Sequence, residues 1–67
     1  MKEFAEAVKA HGGLISFAGK VGVRYQAIQY WLRRGIPPRR VLDVERVTGI
    51  SREVLRPDLY PPMDSAA

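Results

Sequence analysis

Apolar residues recur along this chain in short bursts at helical spacing, and most bursts end at a glycine or a proline. Residues 2–11 place Phe4, Ala5, Val8 and His11 on one stripe, the three- and four-residue spacing of a helix face. Gly12 and Gly13 stop that helix and let the backbone reverse. Residues 14–21 set Leu14, Phe17, Ala18 and Val21 at i, i+3, i+4 and i+7, and Gly22 ends them. Residues 24–34 form a third helix whose buried side is Ala27, Ile28, Trp31 and Leu32. Gly35 closes it, with Arg33 and Arg34 in the last turn, where cations suit the helix dipole.

Pro37 and Pro38 break the chain and pre-set a fourth helix over 38–48, with Val41, Leu42, Val44 and Val47 as its core side. Gly49 follows it. Ser51 is placed to cap a short fifth helix through Leu55, Glu53 lies in its first turn, and Pro57 halts it. No stretch alternates convincingly as a strand. The pattern predicts an all-α bundle of about five short helices, each too short to be stable alone and so dependent on a shared core. The domain is expected over residues 1–60, with 61–67 as a flexible tail.

The stretch Leu14–Leu32 has a more specific pattern. Two helices meet at Gly22 with almost no loop. A steep crossing needs a small residue at the contact, which Ala18 supplies, and a left-handed turn residue, which Gly22 supplies without steric cost. It also needs apolar side chains pointing into the angle: Phe17, Val21, Val23, Ile28 and Trp31. An ordinary helical hairpin would share the Ala and the Gly but would not require all seven positions. This is the helix-turn-helix pattern, in which the second helix enters the DNA major groove.

Composition narrows the chemistry. A 67-residue chain allows one domain, since chains this short bury only about 60% of their unfolded surface. Without cysteine there is no disulfide framework and no thiolate metal site, and a single histidine, His11, leaves no His pair. His11 reads as a partner of the dipole at the end of the first helix and not as a metal ligand. No apolar run approaches the roughly 18 residues of a membrane span, and the first 20 residues lack a signal-peptide core. The expectation is a soluble cytoplasmic domain. Asp43 and Glu45 lie two apart on a helix and make no acid/base pair, and Ser16, Ser51 and Ser65 have no base to activate them. No catalytic, cofactor or metal site is expected.

The charge is concentrated. The net charge of +4 equals that of residues 24–46 alone, where the cations are Arg24, Arg33, Arg34, Arg39, Arg40 and Arg46. Arginine forks onto phosphate and guanine. Setting aside the apolar side of residues 24–34 leaves Arg24, Tyr25, Gln26, Gln29, Tyr30 and Arg33, with no acid among them. A surface helix chosen for solubility favours Glu and Lys. Gln can instead bond adenine N6/N7, Arg can bond guanine O6/N7, and Tyr can reach phosphate or a thymine methyl. Arg34 and Arg39 extend the set toward the phosphate backbone.

The run Gly12-Gly13-Leu14-Ile15-Ser16-Phe17-Ala18-Gly19-Lys20-Val21-Gly22-Val23-Arg24-Tyr25-Gln26-Ala27-Ile28-Gln29-Tyr30-Trp31-Leu32 resembles the helix-turn-helix of Cro-like phage repressors. The later segments Pro37–Gly49 and Ser51–Pro61, above all the Arg-Pro-Asp-Leu-Tyr-Pro ending, resemble the YdaS antitoxin-type branch of that group. The resemblance covers about residues 3–61. It implies a compact five-helix, lambda-repressor-like fold that binds operator DNA and represses transcription, commonly as a dimer. Two positions depart from the family pattern. Leu14 and Ile15 stand where relatives carry a polar phosphate anchor, and Arg24 stands where they carry a Ser or Thr cap. Losing a cap costs about 1 kcal/mol.

These observations converge on a sequence-specific DNA-binding repressor that reads double-stranded operator DNA through residues 24–34. One such helix reads only about 4–5 base pairs, too few to find one site in a genome, so a homodimer on a pseudo-palindromic operator is expected, weak without DNA. The contact is expected at Leu59–Met63 or at the fourth and fifth helices. The alternative is an antitoxin-like interaction module that neutralises a toxin partner, with Leu59-Tyr60-Pro61-Pro62-Met63 as its docking segment. An RNA-binding sheet platform lacks its interleaved aromatics.

Overall fold

The computed structural model describes residues 2–61, which are all-helical. Helix α1 spans Lys2–Ala10, α2 Leu14–Val21, α3 Tyr25–Arg34, α4 Val41–Thr48 and α5 Arg52–Leu55, with a 3₁₀ turn at Pro38–Arg40 leading into α4. The five helices and the turns between them match the predicted order. The tail expected over 61–67 lies outside the described residues from Pro62 onward.

Each helix contributes one to three anchors to a single core: Phe4 and Val8 from α1, Phe17, Ala18 and Val21 from α2, Ile28 and Trp31 from α3, Val41 and Val44 from α4, and Leu55 from α5. The Phe4 and Phe17 rings meet edge to face at 5.7 Å, which joins α1 to α2. Burying large apolar side chains yields about 1.5–3 kcal/mol each, the contribution that lets helices this short persist. Among the described residues no buried side-chain polar atom lacks a hydrogen-bond partner.

The α2–α3 corner is built as its residues require. Gly22 has φ +93° and ψ 31°, the left-handed conformation, and its N–H and that of Val23 both donate to the Ala18 carbonyl, at 2.8 and 3.0 Å. A Cβ at Gly22 would touch nothing, so the demand there is on the backbone angle and not on space. Ala18 is buried, and α2 packs against α3.

Four expectations are corrected. Helix α4 begins at Val41 and not at Pro38, because the two prolines impose a tighter 3₁₀ turn first. Leu42, expected in the core, is 49% exposed, since the buried stripe is Val41 and Val44 and Leu42 lies about 100° round the helix from Val41. Ser51 holds the N-cap position of α5 in extended backbone but makes no side-chain cap bond. Glu45 of α4 caps the helix in its place, its carboxylate accepting the Arg52 backbone N–H at 3.3 Å and the Arg52 Nε–H at 3.1 Å. His11 follows the end of α1, and its ring turns toward α2. Its Nδ1 accepts from Lys20 Nζ at 3.0 Å, and its ring meets Phe17 edge-on.

A further core residue, Ile36, is fully buried although it sits in the irregular segment between Gly35 and Pro37. Arg56 reaches it. The Arg56 Nη1 donates to the Ile36 carbonyl, so the segment after α5 is tied to the segment after α3.

Candidate nucleic-acid interface

Helix α3 starts without a side-chain cap. Arg24 occupies the N-cap in extended backbone, φ −78° and ψ 152°, and makes no cap bond, as its side chain dictates. Its guanidinium is therefore not engaged with the helix start. Gly35 closes the other end with its N–H on the Trp31 carbonyl at 2.8 Å. Burial of Ile28 and Trp31 fixes the rotation of α3 about its axis. Ala27 and Leu32, expected to be buried, are half-buried at the edges of that stripe.

With α3 held in this rotation, Tyr25, Gln26, Gln29, Tyr30, Arg33 and Arg34 are all exposed, as are Arg24 before the helix and Arg39 in the 3₁₀ turn. Tyr30 is 55% exposed, while Trp31 beside it is 5% exposed. The eight residues singled out from the sequence are thus all solvent-accessible, and six of them stand on one helix.

The arginines fall into two groups. Arg40 and Arg46 flank the Asp43 carboxylate at 3.2 Å each, Arg52 pairs with Glu45 at 3.0 Å, and Arg56 pairs with Asp58 at 2.7 Å. Hydrogen bonds from Arg46 and then Arg40 hold the Asp43 carboxyl below the usual carboxylate range. Arg56 does the same to Asp58, and its own guanidinium is raised by that bond. Arg24, Arg33, Arg34 and Arg39 make no ion pair among the described residues. Counting Glu53, four acids balance the four arginines of the α4–α5 side, while the arginines of α3 and its N-cap keep their positive charge available to an anion.

Two hollows flank these groups. One, of about 340 Å³, lies between α2 and α3 and is lined by Leu14, Gln29, Leu32 and Arg33. The other, of about 460 Å³, is lined by Glu45, Arg52, Glu53, Leu59, Tyr60 and Pro61, with the Arg52 guanidinium 5.7 Å from the Tyr60 ring centroid. In the sequence Leu14 stands out as the first residue of an apolar stripe and as a missing phosphate anchor, but not as part of a hollow, because a hollow between two helices has no signature in spacing. Among the described residues no three His, Asp or Glu side chains gather as a metal site would require, and no helix is long and apolar enough to cross a membrane.

The family model described as bacterial toxin YdaS matches residues 4–63. The chain belongs to the YdaS family. Its fold is also that of the Cro protein from the prophage element Xfaso 1 of Xylella fastidiosa strain Ann-1, with a TM-score of 0.83 and 34% identity over 92% of this chain and 100% of that one. Among curated proteins, none matches. This YdaS-family chain therefore has a Cro-type helix-turn-helix fold, and the corner at Gly22 is the turn of that motif.

Proposed function

We propose that this YdaS-family protein is a sequence-specific DNA-binding regulator, a Cro-type repressor of transcription acting in the cytoplasm. It inserts α3 into the major groove of an operator. The observation that carries the reading is the division of the arginines. Among the described residues Arg24, Arg33 and Arg34 of α3 and its N-cap, and Arg39 of the 3₁₀ turn, make no ion pair, while Arg40, Arg46, Arg52 and Arg56 each contact a carboxylate. A free guanidinium forks onto phosphate, and a paired one must first give up its carboxylate. Gln26, Gln29 and Arg33 are the base-reading side chains, with Tyr25 and Tyr30 beside them. The likeness to a prophage Cro protein supports the same reading.

The operator is pseudo-palindromic and takes two protomers, with half-sites about one helical turn, roughly 34 Å, apart. The dimer contact lies on the α4–α5 side, where Leu42, Val54 and Leu59 are exposed.

Band-shift titration against DNA upstream of the protein's own coding sequence tests the proposal. Gln29→Ala should cost about 1–3 kcal/mol on the preferred site and little on random duplex. Equal losses on both would remove Gln29 from base reading.

A second reading, an interaction module of a toxin–antitoxin kind, rests on the family's description and on the hollow beside Leu59, Tyr60 and Pro61. A stable complex with a second protein that survives loss of DNA binding in an Arg33→Ala variant would favour it.

A further inference from the structure

The hollow between α2 and α3 has a mixed lining. It is lined by the half-buried Leu14 and Leu32 and by the exposed Gln29 and Arg33. Ile15, next along α2, is 74% exposed. Half-buried leucines around an open hollow lose little when water stays there and gain when an apolar group replaces it. The surrounding free charge is positive, with Arg24, Arg33 and Arg34 unpaired among the described residues, so the occupant that fits is an apolar group carried by a polyanion.

Duplex DNA presents one apolar group in its major groove, the C5-methyl of thymine, beside the acceptors and donors that Gln and Arg read. We propose that this hollow receives a thymine methyl group, which makes Leu14 and Leu32 specificity-determining residues for a T·A pair next to the base read by Gln29 or Arg33. The inference rests on the proposed DNA-binding function and sharpens it. Leu14 then substitutes an apolar base contact for a polar backbone anchor, and the amide of Gln29 is free to read the neighbouring adenine N6/N7 edge.

The test uses a duplex selected from random sequence by the wild-type protein, with each thymine of one half-site replaced in turn by deoxyuridine. The replacement keeps the pairing and removes only the methyl group. One position should weaken binding about fourfold, the value of one buried methyl-sized group. That methyl dependence should vanish in Leu14→Ala, assayed alongside a melting curve. Leu32→Ala serves as the second variant should Leu14→Ala fold poorly. A selected site with no methyl-dependent thymine overturns the proposal while leaving α3 as the DNA reader. Methyl dependence undiminished in a folded Leu14→Ala or Leu32→Ala variant also overturns it. Selection that enriches no sequence removes both the hollow and the DNA reading.

Discussion

Arg56 grips Asp58 with two hydrogen bonds, Nε to Oδ1 at 3.0 Å and Nη2 to Oδ2 at 2.7 Å, and places its remaining terminal nitrogen on the Ile36 carbonyl. The backbone closes the same knot, since the N–H groups of Leu59 and Tyr60 both donate to the Arg56 carbonyl. One arginine thereby fastens the end of the domain to the linker that delivers α4.

Arg56→Ala should destabilise the domain by about 1–3 kcal/mol, because it strands the carbonyl of a fully buried residue. Asp58→Asn should cost less, since Asp58 is exposed and its loss leaves the Ile36 bond in place. Thermal melting of both variants checks the order. A larger loss in Asp58→Asn than in Arg56→Ala would show that the bond to Ile36 is not the important one.

Acid should loosen the fold. Asp43 and Asp58 both titrate below their ordinary value because arginines hold the charged form. A carboxylate with a depressed folded pKa contributes stability that is complete above the unfolded pKa, about 3.9, and is lost as pH falls through the lower folded value. Melting temperature should therefore be level near neutrality and fall below about pH 4. An Asp43→Asn/Asp58→Asn variant should melt lower near neutrality and lose less on acidification. An unchanged acid slope in that variant would assign the effect to other groups.

Neighbouring residues on α3 should behave oppositely. Trp31→Ala should cost about 3–5 kcal/mol and unfold much of the population, since small domains have little stability to lose. Tyr30→Ala should leave melting nearly unchanged and weaken DNA binding. Unfolding of Tyr30→Ala would contradict the rotation of α3 that buries Trp31 and leaves Tyr30 outside.

The contrast between these two residues shows what the sequence carries well. Periodicity locates α3 and its buried stripe because Ile28 and Trp31 are three apart in an unbroken helix. Apolar content misleads at Leu42, which lies about 100° round α4 from Val41 and off the Val41–Val44 stripe. Ile36 has no periodic partner, being flanked by Gly35 and Pro37, so only tertiary packing shows that it is core. A local rule points to Ser51 as the cap of α5, whereas Glu45, seven residues before Arg52, provides it through a tertiary contact. For the candidate interface, the sequence identifies the exposed α3 residues but cannot sort the arginines, because pairing depends on which carboxylates the fold brings near.

Assembly on DNA offers a separate check. Native mass spectrometry should find two protomers on a palindromic site and one on a half-site. Val54→Glu and Leu59→Glu should weaken the two-protomer complex and spare the half-site complex. A 1:1 complex on the natural site would remove the dimer.

The division of the arginines is tested most directly by the salt dependence of DNA affinity. Each phosphate neutralised contributes about 0.9 to the slope of log K against log salt. Wild-type protein should bind tightly at low salt and weaken steeply as salt rises. Arg39→Ala should lower affinity for all sequences alike and reduce the slope by about 0.9, whereas Arg46→Ala, already paired with Asp43, should change neither appreciably. Salt-independent binding, or equal losses from Arg39→Ala and Arg46→Ala, would contradict the assignment of the unpaired arginines to DNA.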